Sequence, residues 1–232
     1  MADDADQPKL LGDRAYEAVR EDIISCRLGP GVGFSEAWLA AWLGVGKAPV
    51  RTALVRLAQE GLVQAMPRRG YRVAPITLRD VQELFALRLM LEPQAAELAA
   101  GRIAADHLHG FDAAYRPGGA DSVRDLLLAD CDFHMAVVHA SGNRRLIALV
   151  QNLMDDMERL LHAGLQLEAG GDEIRRAHAA LVEALAGGDG AVAARLTARR
   201  IEDTRRLVID ALMTSPALLE VPVTFEPIVE QV

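Results

Sequence analysis

The sequence predicts a mostly α-helical protein: an N-terminal winged helix-turn-helix followed by a C-terminal all-α antiparallel helical bundle. Three observations predict it. Residues 35–75 read as helix, tight turn, helix and hairpin, in that order. From 78 to about 212 apolar residues recur at helical spacing, with breaks marked by Gly and Pro and no strand-like alternation. Charge is also uneven: Lys47, Arg51, Arg56, Arg68, Arg69 and Arg72 lie between 47 and 75 against one acid, Glu60, in a chain of formal net charge −8. A basic patch on an acidic body suits a face that meets phosphate.

A length of 232 residues allows two domains of ordinary size. The expected divisions are a disordered tail over 1–11, the winged head over 12–75, a helical domain over 76–212 and a C-terminal tail over 213–232. Cys26 and Cys131 stand at unrelated spacing, so neither a disulfide framework nor a thiolate metal site is expected. No apolar run is long enough to span a membrane, and the acidic start MADDADQPK is the opposite of a signal peptide. The expectation is a cytoplasmic protein with no membrane partner.

The first helix, about 13–27, carries Tyr16, Val19, Ile23 and Ile24 as its apolar stripe. Ser35 caps the next, which buries Leu39 and Leu43 and stops at Gly44. The third, about 49–60, opens at Pro49, buries Val50, Leu54 and Leu57, and ends at Gly61. Leu62-Val63 and Tyr71-Arg72-Val73 flank the basic turn Pro67-Arg68-Arg69-Gly70. A helix that presents basic residues at its start, beside a hairpin with two arginines at its tip, suits a DNA major groove and the phosphates around it. Ser35, Lys47, Arg51, Thr52, Arg56, Arg68, Arg69 and Gly70 are therefore the candidate DNA-binding residues, Gly70 letting the hairpin come close to the duplex. Trp38 and Trp42, one turn apart and off the Leu39/Leu43 stripe, call for a partner in the linker, the helical domain or the C-terminal tail.

Residues 14–75 resemble the DNA-binding domain of the GntR family of bacterial transcription regulators. The likeness rests on Arg27-Leu28-Gly29-Pro30-Gly31, Ser35-Glu36, Leu43-Gly44-Val45, Pro49-Val50-Arg51, Glu60-Gly61-Leu62-Val63 and Pro67-Arg68-Arg69-Gly70. Trp38 and Trp42 depart from it, since those positions are usually charged in the family. One small winged head contacts only a half-site, so a homodimer on a palindromic double-stranded operator is expected.

Thr77 to Asp80 reads as a cap that opens a long helix near 78–102, with Pro93 inside it expected to kink it. Further helices are expected near 122–140, 144–167, 172–187 and 189–212, with a weak one near 104–115. Helix 144–167 has a broad apolar face, including Leu146, Leu149, Val150, Leu153 and Met157, part of which is a candidate subunit interface. The tail, with Pro216, Pro222 and Pro227, is expected to be non-helical, its Leu218, Leu219, Val221, Phe225 and Ile228 resting against something.

Placing residues at 100° steps puts six polar groups on apolar stripes: Arg88 and Glu92, Asp130 and His134, His178, and Arg200. Buried charge is costly unless paired, so these must meet one another, a metal or a ligand, and they mark a candidate effector cavity.

The helical half resembles the FCD effector-binding domain of FadR-type GntR regulators. The likeness runs through Leu84-Phe85-Ala86-Leu87-Arg88, Leu91-Glu92-Pro93, Asp130-Cys131-Asp132-Phe133-His134, Ser141-Gly142-Asn143 and Ala177-His178. It implies an effector-binding and dimerisation domain. Many members hold a divalent metal with one aspartate and three histidines, and the metal helps to bind a small carboxylate. Asp130, His134 and His178 match three of those ligands, and Arg200 stands at the fourth. A guanidinium has no lone pair to give and repels a dication. Two outcomes stay open: a three-ligand, zinc-type metal site, or a small organic acid held by Arg200 without metal. The resemblance implies a ligand-responsive regulator, a repressor; two other functions compete with it. One is a metal-dependent hydrolytic enzyme using Asp130, His134 and His178; the other is a constitutive DNA-binding protein, which would place apolar residues at Arg88, His178 and Arg200.

Overall fold

The computed structural model describes residues 11–165, 167 and 171–214. They form two compact units, divided in the chain between Pro75 and Ile76. The expectations for residues 1–10 and for the tail beyond Thr214 lie outside the described residues.

In the N-terminal unit, α1 (Leu11–Ile24) turns Ala15, Val19, Ile23 and Ile24 inward. It stops three residues before the expected 27, because the chain folds back and Leu28 N–H donates to Asp22 O at 2.8 Å. Then come β1 (Gly33–Phe34), α2 (Glu36–Leu43), α3 (Lys47–Gln59), β2 (Val63–Met66) and β3 (Gly70–Val73). The Ser35 hydroxyl accepts from Trp38 N–H at 3.1 Å and starts α2, and Gly44 ends it at φ +65, a conformation that costs glycine little. Helix α3 begins two residues before Pro49, so the proline sits in its first turn, where no N–H has an intrahelical acceptor. Strand β1 was not anticipated. It pairs antiparallel with β3 (Gly33 opposite Arg72, Phe34 opposite Tyr71), which makes a three-stranded sheet in the order β1-β3-β2. Val19, Ile23, Leu39, Val50, Leu54, Leu57, Val63 and Val73 close the small core.

The second unit is helical: α4 (Leu78–Ala99), α5 (Ala105–His109), α6 (Asp112–Tyr115), α7 (Val123–Ala140), α8 (Arg144–His162), α9 (Gly171–Ala186) and α10 (Gly190–Thr214). Thr77 and Asp80 cap α4 reciprocally, and the helix runs through Pro93 to Ala99 without a break. Helix α8 ends at His162, five residues short of the expected 167. Its broad apolar face is mostly core: Leu146, Val150, Leu153, Met154, Met157, Leu160 and Leu161 are buried against the unit itself. The width follows from two neighbours, since α8 packs on both α4 and α7. Among the described residues no helix is long and apolar enough to cross a membrane.

Two apolar clusters fill this unit. One gathers Phe85, Leu126, Leu127, Met154, Met157, Val208 and Leu212. The other gathers Ala96, Ala99, Phe133, Leu181, Leu185 and Ala193. Four helices feed both, and each carries its buried charge between its two contributions: Arg88 and Glu92 on α4, Asp130 and His134 on α7, His178 on α9 and Arg200 on α10.

Candidate functional site

Helix α3 exposes Lys47, Ala48, Arg51, Thr52 and Val55 on its open side. Arg51 Nη2 donates to Glu36 Oε2 at 2.8 Å, a pair whose arginine side is largely exposed and whose carboxylate side is half-buried. Thr52 Oγ1 donates back to Ala48 O at 3.2 Å. Three others of the candidate DNA set, Ser35, Arg56 and Gly70, have structural work within the head. The hydroxyl of Ser35 is engaged in the cap of α2. Arg56 points to α1, where Nη1 donates to Asp13 Oδ1 at 2.7 Å and the guanidinium lies 3.7 Å above the Tyr16 ring. Five residues on from Arg51, it stands about 140° away around the helix, so it braces α1 against α3. Arg68 and Arg69 are exposed at the hairpin tip, Arg68 at φ +64. Gly70, at φ +86, is required for a reason different from the expected one: a Cβ there would come within 2.4 Å of Phe34 O. Its missing side chain lets β3 lie against the start of α2.

The tryptophans belong to an aromatic file across the head. Tyr71, Phe34, Trp38 and Trp42 follow one another with ring centroids 6.2, 6.3 and 5.2 Å apart. Trp38 packs on the core. Trp42, still 54% exposed, donates its Nε1–H to Asp22 Oδ2 on α1 at 3.2 Å. One indole thus has its polar partner within the head itself.

The six polar groups expected on inward faces of the helical unit are all buried, each 4% exposed or less. Arg88 Nε donates to Glu92 Oε1 at 2.6 Å, and His134 Nδ1 contacts Glu92 Oε2. His134 Nε2 stands 3.4 Å from Asp130 Oδ2. Arg200 Nη2 pairs with Asp130 Oδ1, which also accepts from the Tyr115 hydroxyl at 2.7 Å. Burial would push the Glu92 carboxyl up, but Arg88 and His134 outweigh it and hold it at about 2. Burial pushes the neighbouring Cys131 thiol up to about 12, so it stays protonated.

His178 goes elsewhere. Its ring stacks on Tyr115 with centroids 3.5 Å apart, and Nε2 lies 3.1 Å from Asp112 Oδ1, while Nδ1 is buried without a partner among the described residues. Burial lowers its pKa despite Asp112. Asp112 also meets His109 Nδ1 at 2.9 Å; these hydrogen bonds overcome the opposing effect of burial and keep its carboxyl below the usual range. Tyr115 and Asp112 were not anticipated. They come from the short α6, where no periodic stripe marks an inward face.

This donor set does not fit a divalent metal. Asp130 is taken by a guanidinium and a phenol, His134 by Glu92, and His178 turns to Asp112. Among the described residues no group of three or more His, Cys, Asp or Glu side chains is arranged to hold a metal ion. Arg200 fills the place of a fourth ligand with N–H donors alone.

Beside that Arg200–Asp130 pair opens a cavity of about 260 Å³, lined by Glu173, Ile174 and Ala177 of α9 and by Asp203, Thr204, Arg206 and Leu207 of α10. Arg200 lines this cavity, and its Nη1 is buried with no hydrogen-bond partner among the described residues. Leaving such a donor unmet costs ~1–3 kcal/mol or more, which a bound acceptor would recover.

Comparison with known proteins agrees with this architecture. Residues 83–203 match the family model described as FCD domain, and residues 11–73 match that of bacterial regulatory proteins, gntR family. The chain is 30% identical over 194 residues to a probable D-xylose utilization operon transcriptional repressor of Paenarthrobacter nicotinovorans, covering 80% of this chain and 85% of that one. It is 24% identical over 200 residues to the Escherichia coli repressor RspR, covering 83% and 86%. The solved structure of E. coli McbR/YncC shares its fold, with a TM-score of 0.72 at 21% identity over 88% of this chain and 99% of that one.

Proposed function

The chain belongs to the gntR family of bacterial regulatory proteins, its helix-turn-helix head followed by an FCD domain, and is a DNA-binding transcription regulator; from that premise we propose that it is a cytoplasmic repressor controlled by a small organic acid. It binds a palindromic operator as a homodimer. The acid sits in the helical domain, its carboxylate on Arg200, with no metal ion between them. The observation that carries this reading is Arg200, which lines a cavity of ligand size and keeps a buried Nη1 with no partner among the described residues. A constitutive regulator would have no use for a cavity beside an unmet guanidinium donor, and the relatives are regulators rather than hydrolases.

On the DNA side, Lys47, Arg51 and Thr52 enter the major groove, and Arg68 and Arg69 follow the backbone or minor groove. Arg51 exchanges Glu36 for a base or phosphate; the pair it gives up is largely exposed on its arginine side and worth little. A second copy of the chain covers the open side of α4, where Leu87, Met90 and Leu98 are exposed, together with Leu149 of α8. The test begins with an operator selected from random duplexes by the purified protein. Protection of two symmetric half-sites and a dimer by light scattering are expected, and Arg51→Ala should weaken binding by ~1–3 kcal/mol. Undiminished binding by Arg51→Ala, or a monomer at micromolar concentration, would overturn the reading.

A further inference from the structure

The cavity that opens at Arg200 has ends of opposite character. Helices α9 and α10 are joined by the short turn 187–189 and run antiparallel, so Ala177 stands level with Arg200, and Glu173 with Thr204 to Leu207. At the inner end stands Arg200, whose guanidinium keeps one nitrogen without a partner among the described residues and suits an anion. Ile174, Ala177 and Leu207 supply apolar wall between the ends. At the outer end Asp203 and Arg206 lie 3.6 Å apart and offset each other. Glu173 remains: an exposed carboxylate on the cavity with no ion pair or hydrogen bond among the described residues. It stands one turn from Ala177, ~6 Å along α9.

We propose that the effector is a zwitterion, an aliphatic carboxylate with a cationic nitrogen about one helical turn away. Its carboxylate meets Arg200, its methylenes lie on Ile174 and Leu207, and its ammonium faces Glu173. A dicarboxylate of the same length would set its second charge against Glu173 and lose what the ammonium gains. The volume agrees: about 260 Å³ is the room of roughly eight or nine waters, enough for a molecule of that size and little more.

This inference rests on the organic-acid reading above, and three five-carbon probes separate the two. Full-length protein is titrated by calorimetry with 5-aminovalerate, valerate and glutarate. The expected result is that 5-aminovalerate binds about fivefold tighter than valerate, the gain of one solvent-exposed ion pair, with glutarate weakest. Glu173→Gln, at an exposed site that leaves the fold intact, should bring 5-aminovalerate down to the affinity of valerate and leave valerate unchanged. Valerate or glutarate binding as tightly as 5-aminovalerate would overturn the zwitterion and leave the organic acid standing. So would a preference for 5-aminovalerate that survives Glu173→Gln. Binding of none of the three would overturn both.

Discussion

The two units of this molecule handle charge in opposite ways. The head keeps its cations on the surface and pairs them in solvent: Arg51 with Glu36 and Arg56 with Asp13, all part of a shell around a small apolar core. The helical unit takes Arg88, Glu92, Asp130, His134 and Arg200 out of water and makes them one another's solvent. An exposed pair contributes little to stability and is free to trade partners, as a DNA-binding surface requires. A buried pair is costly to break and holds its partners in place, as a ligand site requires.

Breaking the buried side should have the largest effect. Arg88→Met leaves Glu92 with His134 alone and should cost the helical unit ~3–5 kcal/mol in urea unfolding, with Arg88→Met/Glu92→Met recovering much of the loss. A loss under ~1 kcal/mol would place the two units in the same class. Acid should sharpen the contrast next. The folded pKa of Glu92, about 2, lies below its ordinary 4.5. Its stabilising contribution is therefore complete above about pH 4.5 and lost as pH falls toward 2, on the order of 3 kcal/mol. His178, whose folded pKa lies below the ordinary 6.5, adds to the loss once it must protonate. Circular dichroism follows the helical unit in such a titration, while the chain's two tryptophans, Trp38 and Trp42, report on the head alone. The fluorescence transition should move less with acid than the dichroism.

Inside the head, a backbone change should outweigh a charge change. Gly70→Ala forces a side chain at φ +86 against Phe34 O and should cost roughly 1–3 kcal/mol, seen by tryptophan emission. Arg56→Ala should cost least, about 1 kcal/mol or below, because its side chain and that of Asp13 are 41% and 45% exposed. An Arg56 effect larger than that of Gly70 would show the head depends on its surface pairs after all.

The same division explains what the sequence made legible. Local signals placed the elements of the head, since Ser35, Gly44 and Pro49 each act on the turn in which they stand. Strand β1 escaped because two residues have no period, and its partner β3 lies far along the chain. The role of Arg56 escaped because composition rather than angle had grouped it with Arg51. In the helical unit, periodicity located six buried polar residues, because a face is a local property of one helix, but it passed over Asp155 and Arg159 on α8, which are buried too. Partners are not local. Tyr115 and Asp112 reach the site from the short α6, and His178, grouped by family likeness with Asp130 and His134, takes Asp112 instead.

The charged layer between the two apolar clusters has one more consequence, for alignment. Uncharged contacts discriminate poorly between one turn and the next: along α10 the inward positions above and below Arg200 hold Ala193, Thr197, Thr204 and Val208, small side chains without charge. A slip of one turn would carry Arg200 ~5.4 Å further from Asp130 and leave a buried guanidinium without its carboxylate. The layer works as an index mark, setting how far each helix slides past its neighbours, and a sequence with leucine at those positions would lose its place along the axis before it lost its core.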